Sequence, residues 1–161
     1  MRNKMNRTYT YGILSLLLVA MAMTSCEQSD DIETIFTTAD WSFTDFCYTP
    51  NWNKEKSSML NIQYDGRDQC HLNQLSFHPD GNVIISMPGC TLSGHWKADG
   101  IERSFALTDL KVTSGSLDRL SFFSKKFYDE LISSVWYRGD THFLQLFGPD
   151  EHYYLLFGPV R

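Results

Sequence analysis

The chain has 161 residues, of which 42% are hydrophobic, 14% aromatic and 20% charged, and its formal net charge is −5. This length suits one domain plus a short tail and is too small for two full-sized cores, while the apolar content excludes a disordered chain. A nucleic-acid binder usually carries a basic patch, so the acidic balance predicts no nucleic-acid partner.

The N-terminal segment predicts a secretory signal peptide. Three bases and no acid precede an apolar run over residues 13–23, which is too short to cross a bilayer comfortably as a helix. Met23-Thr24-Ser25-Cys26 resembles the lipobox of bacterial lipoproteins, in which cleavage precedes a cysteine that carries a diacylglycerol. The resemblance implies that residues 1–25 are removed and that Cys26 is lipidated and anchors the protein to a membrane.

An acidic segment over residues 26–38 follows and is interpreted as a flexible tether. Within it, Ser29-Asp30-Asp31 followed by Glu33 resembles the surface-export signal of Bacteroidetes-type lipoproteins. The resemblance implies an outer-membrane lipoprotein that faces the cell surface. The alternative is a solvated tether without an export role, in a lipoprotein that faces the periplasm. Both interpretations leave residues 39–161 as the single folded domain.

From residue 39 onward, short apolar or alternating runs are separated by turn residues at about ten-residue spacing. Such spacing is typical of an antiparallel meander, and it predicts a mainly β (α+β) fold that closes into a small barrel or sandwich. Turns are expected at Asp65-Gly66, Pro79-Asp80-Gly81-Asn82 and Asp99-Gly100, and a polar loop is expected over residues 50–58. The expected strands are Asp40–Tyr48, Met59–Tyr64, Leu72–Phe77, Val83–Met87, Cys90–Lys97 and Ser104–Val112.

One late segment has a helical period. Leu120, Phe123, Phe127 and Leu131 recur at intervals of three and four, with charged residues between them. This spacing predicts one amphipathic helix over about residues 117–134, with Ser116 as its N-cap.

Two dense apolar runs end the chain. Phe143–Phe147 and Tyr153–Phe157 each lead into the same Gly-Pro step and are expected to pair as strands. Their apolar density predicts burial on both faces or closure of a barrel.

Several short motifs resemble the META-type lipoprotein domain and, more loosely, small lipocalin-like barrels. The resemblance implies an envelope lipoprotein and supplies no catalytic residues. It covers about residues 39–159 and is carried by Trp41, Leu75-Ser76-Phe77 before Asp80-Gly81, Gly89-Cys90 before Gly94-His95-Trp96, Tyr137-Arg138-Gly139-Asp140 and Phe143–Leu146.

Cysteine and histidine spacing bears on cross-links and metals. Besides Cys26, the chain has Cys47, Cys70 and Cys90, and a Cys70–Cys90 disulfide is expected, with a fully reduced state as the alternative. The five histidines never form His-Glu-x-x-His, and no Cys-x-x-Cys occurs, so no metal site is predicted.

Catalytic motifs are absent from the sequence. It contains no Gly-x-Gly-x-x-Gly, Walker-type loop or Gly-x-Ser-x-Gly, so no cofactor and no catalytic residue is predicted. Trp52, Trp136, Tyr137 and Tyr153 lie near expected loops or strand ends and are candidates for the mouth of a ligand pocket, with core packing as the alternative.

These observations favour a lipid-anchored, monomeric envelope protein that is not an enzyme. We expect a binding or interaction module whose partner is a protein, a glycan or a small apolar ligand. The alternative is a small hydrolase or inhibitor with a dispersed site built from Cys90, His95 and a distant acid.

Overall fold

The computed structural model describes residues 29–50, 60–61 and 67–160. Most of the expected loop at 50–58, and the expected strand Met59–Tyr64 apart from two residues, therefore lie outside the described residues. In chain order the elements are α1 (Ile32–Thr37), β1 (Trp41–Tyr48), β2 (Leu60–Asn61), a 3-10 helix (Arg67–Leu72), β3 (Gln74–Phe77), β4 (Asn82–Met87), β5 (Cys90–Ala98), β6 (Phe105–Gly115), a second 3-10 helix (Leu117–Arg119), α2 (Phe122–Ile132), β7 (Trp136–Gly139), β8 (Leu144–Phe147) and β9 (Tyr153–Pro159).

The strands form one antiparallel sheet that curls into a half-barrel. Its order is β6-β5-β4-β3-β1-β9-β8-β7, and β2 pairs with β1 to one side of this path. The two outer strands meet over a short stretch, where the Phe105 N–H donates to the Val135 carbonyl at 2.9 Å and the Tyr137 N–H donates to the Arg103 carbonyl at 2.9 Å. The mainly β, barrel-like meander predicted from turn spacing is confirmed.

Hydrogen bonds and backbone conformation within the turns explain why the hairpins form at the predicted positions. Gly81 has a φ of +83°, a left-handed conformation that glycine adopts without a Cβ penalty. The preceding Asp80 carboxylate accepts the Asn82 N–H at 3.0 Å and holds the turn between β3 and β4. The turn brings Val83 opposite Phe77, so the two apolar side chains point into the same core.

Helix α2 is shorter than predicted, and it has a different cap. The Ser121 hydroxyl accepts the Ser124 N–H at 3.1 Å and starts the helix at Phe122. Ser116 instead caps the short 3-10 helix, after which Leu120 is extended with a ψ of 140°. Because this extended residue interrupts the helical path, the predicted span of 117–134 divides into two helices.

The predicted tether is wrong where the structure describes it. Residues 32–37 form α1, whose N-cap Asp31 accepts the Thr34 N–H at 3.1 Å. Phe36 is fully buried, and the Trp41 indole N–H donates to its carbonyl at 3.0 Å. The folded domain therefore includes the described part of this acidic segment, residues 29–38, and begins before residue 39.

The expected Cys70–Cys90 disulfide is also wrong. Cys90 is a free thiol and is 3% exposed at the start of β5. Cys70 lies buried in the 3-10 helix that packs on β1. Both side chains belong to the hydrophobic core, where a cysteine packs as a small apolar residue without needing a cross-link.

The core fills the half-barrel and is covered at each end by a helix. At the α1 end, Phe36 lies among four aromatic rings. At the α2 end, Phe123 and Phe127 pack against Phe43, with ring centroids 6.0 and 4.9 Å apart. The α1 end also carries the β3–β4 and β5–β6 turns and the last residues of β9, while the α2 end carries the β4–β5 turn. Among the described residues, no helix has the length and apolar character needed to cross a bilayer.

Candidate functional site

An open groove of about 470 Å³ lies on the outer face of β4, β5 and β6. Its lining is mostly polar and carries both signs of charge, with the partly exposed Ile84 as an apolar element. The lining residues are His78, Asp80, Asn82, Val83, Ile84, Ser93, Gly94, His95, Asp109 and Lys111.

Strand register brings the outward-pointing side chains of this groove together. Asn82 lies opposite His95, and Ser93 lies opposite both Ile84 and Lys111. Outer-face residues follow every second position along each strand, so these side chains form adjacent cross-strand pairs.

A bulge between β5 and β6 shapes the groove. The register shifts between Ser93 and His95, and a Cβ on the intervening Gly94 would lie 2.7 Å from the Thr108 carbonyl oxygen. Asp109 has a φ of +54°, the left-handed conformation that a bulge residue often adopts. Glycine is therefore required at this bulge, because a Cβ there would clash with the neighbouring backbone.

Some charged side chains of the groove are already hydrogen-bonded within the protein, and others are not. Hydrogen bonds from the Asn82 backbone and side chain hold the pKa of Asp80 below its ordinary value. Within the described part of the chain, by contrast, the side chains of His95, Asp109 and Lys111 have no hydrogen-bond or ion-pair partner. These three groups are exposed and available to a polar ligand.

The residues expected to form a pocket mouth do not converge. Tyr137 is fully buried and packs against Phe36 in the core, with ring centroids 5.0 Å apart. Its neighbour Trp136 points to the other face of the sheet and packs in a separate apolar cluster, because side chains alternate along a strand. Tyr153 lies at the start of β9 and lines a cavity of only about 30 Å³, and Trp52 lies outside the described residues.

The residues suggested for a dispersed hydrolase site are likewise separated. Cys90 faces the core, whereas His95 is exposed on the outer face of the same strand. Burial raises the pKa of the Cys90 thiol, which is the opposite of what an activated nucleophile requires. In the described parts of the chain, no group of three His, Cys, Asp or Glu side chains is arranged to hold a metal ion.

A polar contact that sequence analysis missed lies at the α1 end. The Arg103 guanidinium donates to the Asp30 carboxylate at 3.0 Å, and the Tyr137 hydroxyl donates to the same carboxylate oxygen at 3.2 Å. Burial is the main cause that raises the pKa of Tyr137, and the nearby negative charge of Asp30 is the second. The partners are 73 and 107 positions apart in sequence, so no local pattern indicates their contact.

Comparison with known proteins identifies the family. The chain matches DUF4847, described as a domain of unknown function, over residues 27–159. The chain belongs to this family. A DUF4847 family protein from Bacteroides vulgatus ATCC 8482 has a similar structure, with a TM-score of 0.65 and 23% sequence identity over 79% of this chain and 96% of that chain. The comparison with curated proteins found no match.

The DUF4847 match covers the acidic segment that folds as α1. It begins at residue 27, so it includes α1 and the acidic segment together with the groove. At 23% identity, the Bacteroides DUF4847 protein shows a shared fold and no more. These comparisons identify DUF4847 and lend no support to the META-type or lipocalin-like label.

Proposed function

We propose that this DUF4847 protein is a lipid-anchored envelope protein with a non-catalytic binding domain. The observation that carries the proposal is the lipobox-like Met23-Thr24-Ser25-Cys26, which ends immediately before the family domain begins at residue 27. Removal of residues 1–25 would leave this domain whole. Each methylene of an acyl chain contributes about 0.8 kcal/mol on burial, so a diacylated Cys26 is a sufficient anchor.

The groove is the feature that favours a polar partner, which we expect a single copy of the protein to bind. His95, Asp109 and Lys111 offer hydrogen-bond donors and acceptors that are uncommitted among the described residues. Of the ligand classes considered, a glycan suits this lining best because its hydroxyl groups both donate and accept. The cavity beside Tyr153 has a volume of only about 30 Å³, which is close to one water molecule, so an apolar ligand would not fit there.

The anchor is tested by mass spectrometry of the protein extracted from native membranes. We expect a mature N-terminus at Cys26 with the mass of a diacylglycerol and, where present, an amide-linked acyl chain. The Cys26→Ser protein should remain uncleaved or should leave the membrane fraction. An unmodified Cys26 in the mature protein, or an N-terminus elsewhere, would contradict the lipoprotein assignment.

Outer-membrane location with the domain facing the cell surface is the second part of the proposal, and periplasmic orientation is its alternative. Asp30 and Asp31 both make contacts that stabilise the fold, so replacing them would disturb folding as well as export. The exposed Glu33 makes no such contact among the described residues. We therefore expect Glu33→Ala to reduce cleavage by protease added to intact cells while the melting temperature is unchanged. Unaltered cleavage would indicate that Glu33 has no export role.

Binding at the groove is tested with a panel of immobilised glycans. Lys111→Ala and His95→Ala each remove a side chain that has no partner among the described residues. Each should weaken retention of a bound glycan about tenfold, because one or two polar contacts to the glycan are lost. Lys125→Ala is the matched control because it removes the same charge from helix α2, outside the groove. Equal retention by all three variants would show that the groove is not the binding surface.

A further inference from the structure

Asp30 joins the N-terminal end of the described chain, on the side of Cys26, to the rest of the fold. Its N–H donates to the Gly100 carbonyl at 3.0 Å, and its carboxylate accepts from Arg103 and Tyr137. Backbone and side-chain contacts together therefore join Asp30 to the turn between β5 and β6.

The backbone geometry of this turn shows how close the contact is. A Cβ on the buried Gly100 would lie 2.5 Å from the Asp30 carbonyl oxygen, so only glycine allows the two segments to approach. Arg103 has a φ of +57°, which is costly for a residue with a Cβ and persists where surrounding contacts determine it. The Asp99 carboxylate accepts the Ile101 and Glu102 N–H groups at 2.8 and 2.9 Å and fixes the tip of the turn.

Chain length then limits the distance from this turn to the anchor. Four residue steps separate Cys26 from Asp30, and a fully extended chain spans at most about 14 Å over four steps. A lipid on Cys26 therefore keeps Asp30, and with it the α1 end of the half-barrel, within about 14 Å of the membrane surface.

An apolar side chain stands at the tip of the same turn. Ile101 is 60% exposed and directly follows Gly100, whose carbonyl holds Asp30. We propose that the Asp99–Arg103 turn rests on the bilayer and that Ile101 enters the boundary between headgroups and acyl chains. The proposal rests on the lipidation of Cys26 given under Proposed function. It commits to a lipid surface as the partner because the four residue steps between Cys26 and Asp30 keep this turn close to one.

The test places a fluorescent label at each end of the half-barrel in the mature, lipidated protein. Ile101→Cys and the matched control Phe122→Cys are labelled with an environment-sensitive dye. Phe122 is 87% exposed and lies at the α2 end. The native cysteines of the described residues are buried, and lipid blocks the Cys26 thiol. The proteins are reconstituted in phosphatidylethanolamine–phosphatidylcholine vesicles with and without a lipid that carries a spin label near its headgroup.

We expect the spin-labelled lipid to quench the dye at position 101 roughly threefold more than the dye at position 122, as for a group held at interfacial depth. Equal quenching at both positions, in protein shown by mass to be lipidated, would overturn the membrane contact and leave the anchor intact. A protein that lacks the lipid and does not float with vesicles would overturn the anchor itself. Melting of both labelled proteins at the parent temperature confirms that the comparison concerns orientation and not folding.

Discussion

Phe36→Ala is the sharpest test of whether the acidic N-terminal segment belongs to the fold. If residues 26–38 were a tether, truncating an aromatic ring there would leave stability unchanged. In the structure the ring is fully buried and contacts four others. Its ring centroid lies 5.1 Å from Phe77, 4.9 Å from Trp96, 5.7 Å from Phe105 and 5.0 Å from Tyr137.

The expected cost follows from this burial. Replacing a buried phenylalanine by alanine typically costs about 3–5 kcal/mol through lost transfer free energy and the cavity left behind. For a domain of this size, such a loss lowers the melting temperature by roughly 10–20 °C. Because Trp96 stacks on the Phe36 ring at an interplanar angle of 24°, the near-ultraviolet circular dichroism of the folded protein should also change.

The assay is denaturant and thermal unfolding of the purified protein. Glu33→Ala is the control, because Glu33 is exposed on the same helix and its replacement should change stability by no more than about 0.5 kcal/mol. If Phe36→Ala lowered the free energy of unfolding by less than about 1 kcal/mol, the placement of α1 in the core would be refuted.

Three further changes test other contacts. Gly100→Ala should cost about 2 kcal/mol because its Cβ meets the Asp30 carbonyl oxygen at 2.5 Å, whereas Gly148→Ala, whose nearest neighbour is 3.8 Å away, should be close to neutral in the same melts. Ser121→Ala removes the N-cap of α2 and should cost about 1 kcal/mol in urea unfolding. Burial raises the pKa of Tyr137, so the stability that its protonated phenol contributes is fully present below about pH 10 and is lost as pH rises toward the folded-state pKa. Urea melts from pH 8 to 11 should show this decline, and Tyr137→Phe should reduce its slope.

The strands could be predicted because hairpins depend on local chemistry. The Pro79-Asp80-Gly81-Asn82 turn and the Asp99-Gly100 turn are each specified by residues within four positions, and the structure contains both. The burial of all four residues of β8 also followed from the apolar density of its sequence. Such features need no knowledge of distant contacts.

Features that depend on tertiary contacts could not be predicted. Helix α1 has only six residues, and an isolated helix of that length is unstable in water, so its neighbours must stabilise it. Its one acid, Glu33, continues the acidic run of Asp30 and Asp31 before it, and this acidic context obscures the apolar residues Ile32, Ile35 and Phe36. The candidate pocket failed for a related reason: nearness to strand ends does not show which face a side chain takes, and Trp136 and Tyr137 take opposite ones.

The curled sheet explains why the short helix α1 belongs to the fold. A half-barrel leaves apolar side chains at both ends that the sheet alone cannot bury, and each end therefore needs a cover. At the far end α2 supplies it with Phe123, Phe127 and Leu131. At the near end the cover is α1, taken from the few residues that follow Cys26. Because Asp30, just before this helix, is hydrogen-bonded to Gly100 and Arg103 in the β5–β6 turn, one segment both completes the core and is fixed to the sheet.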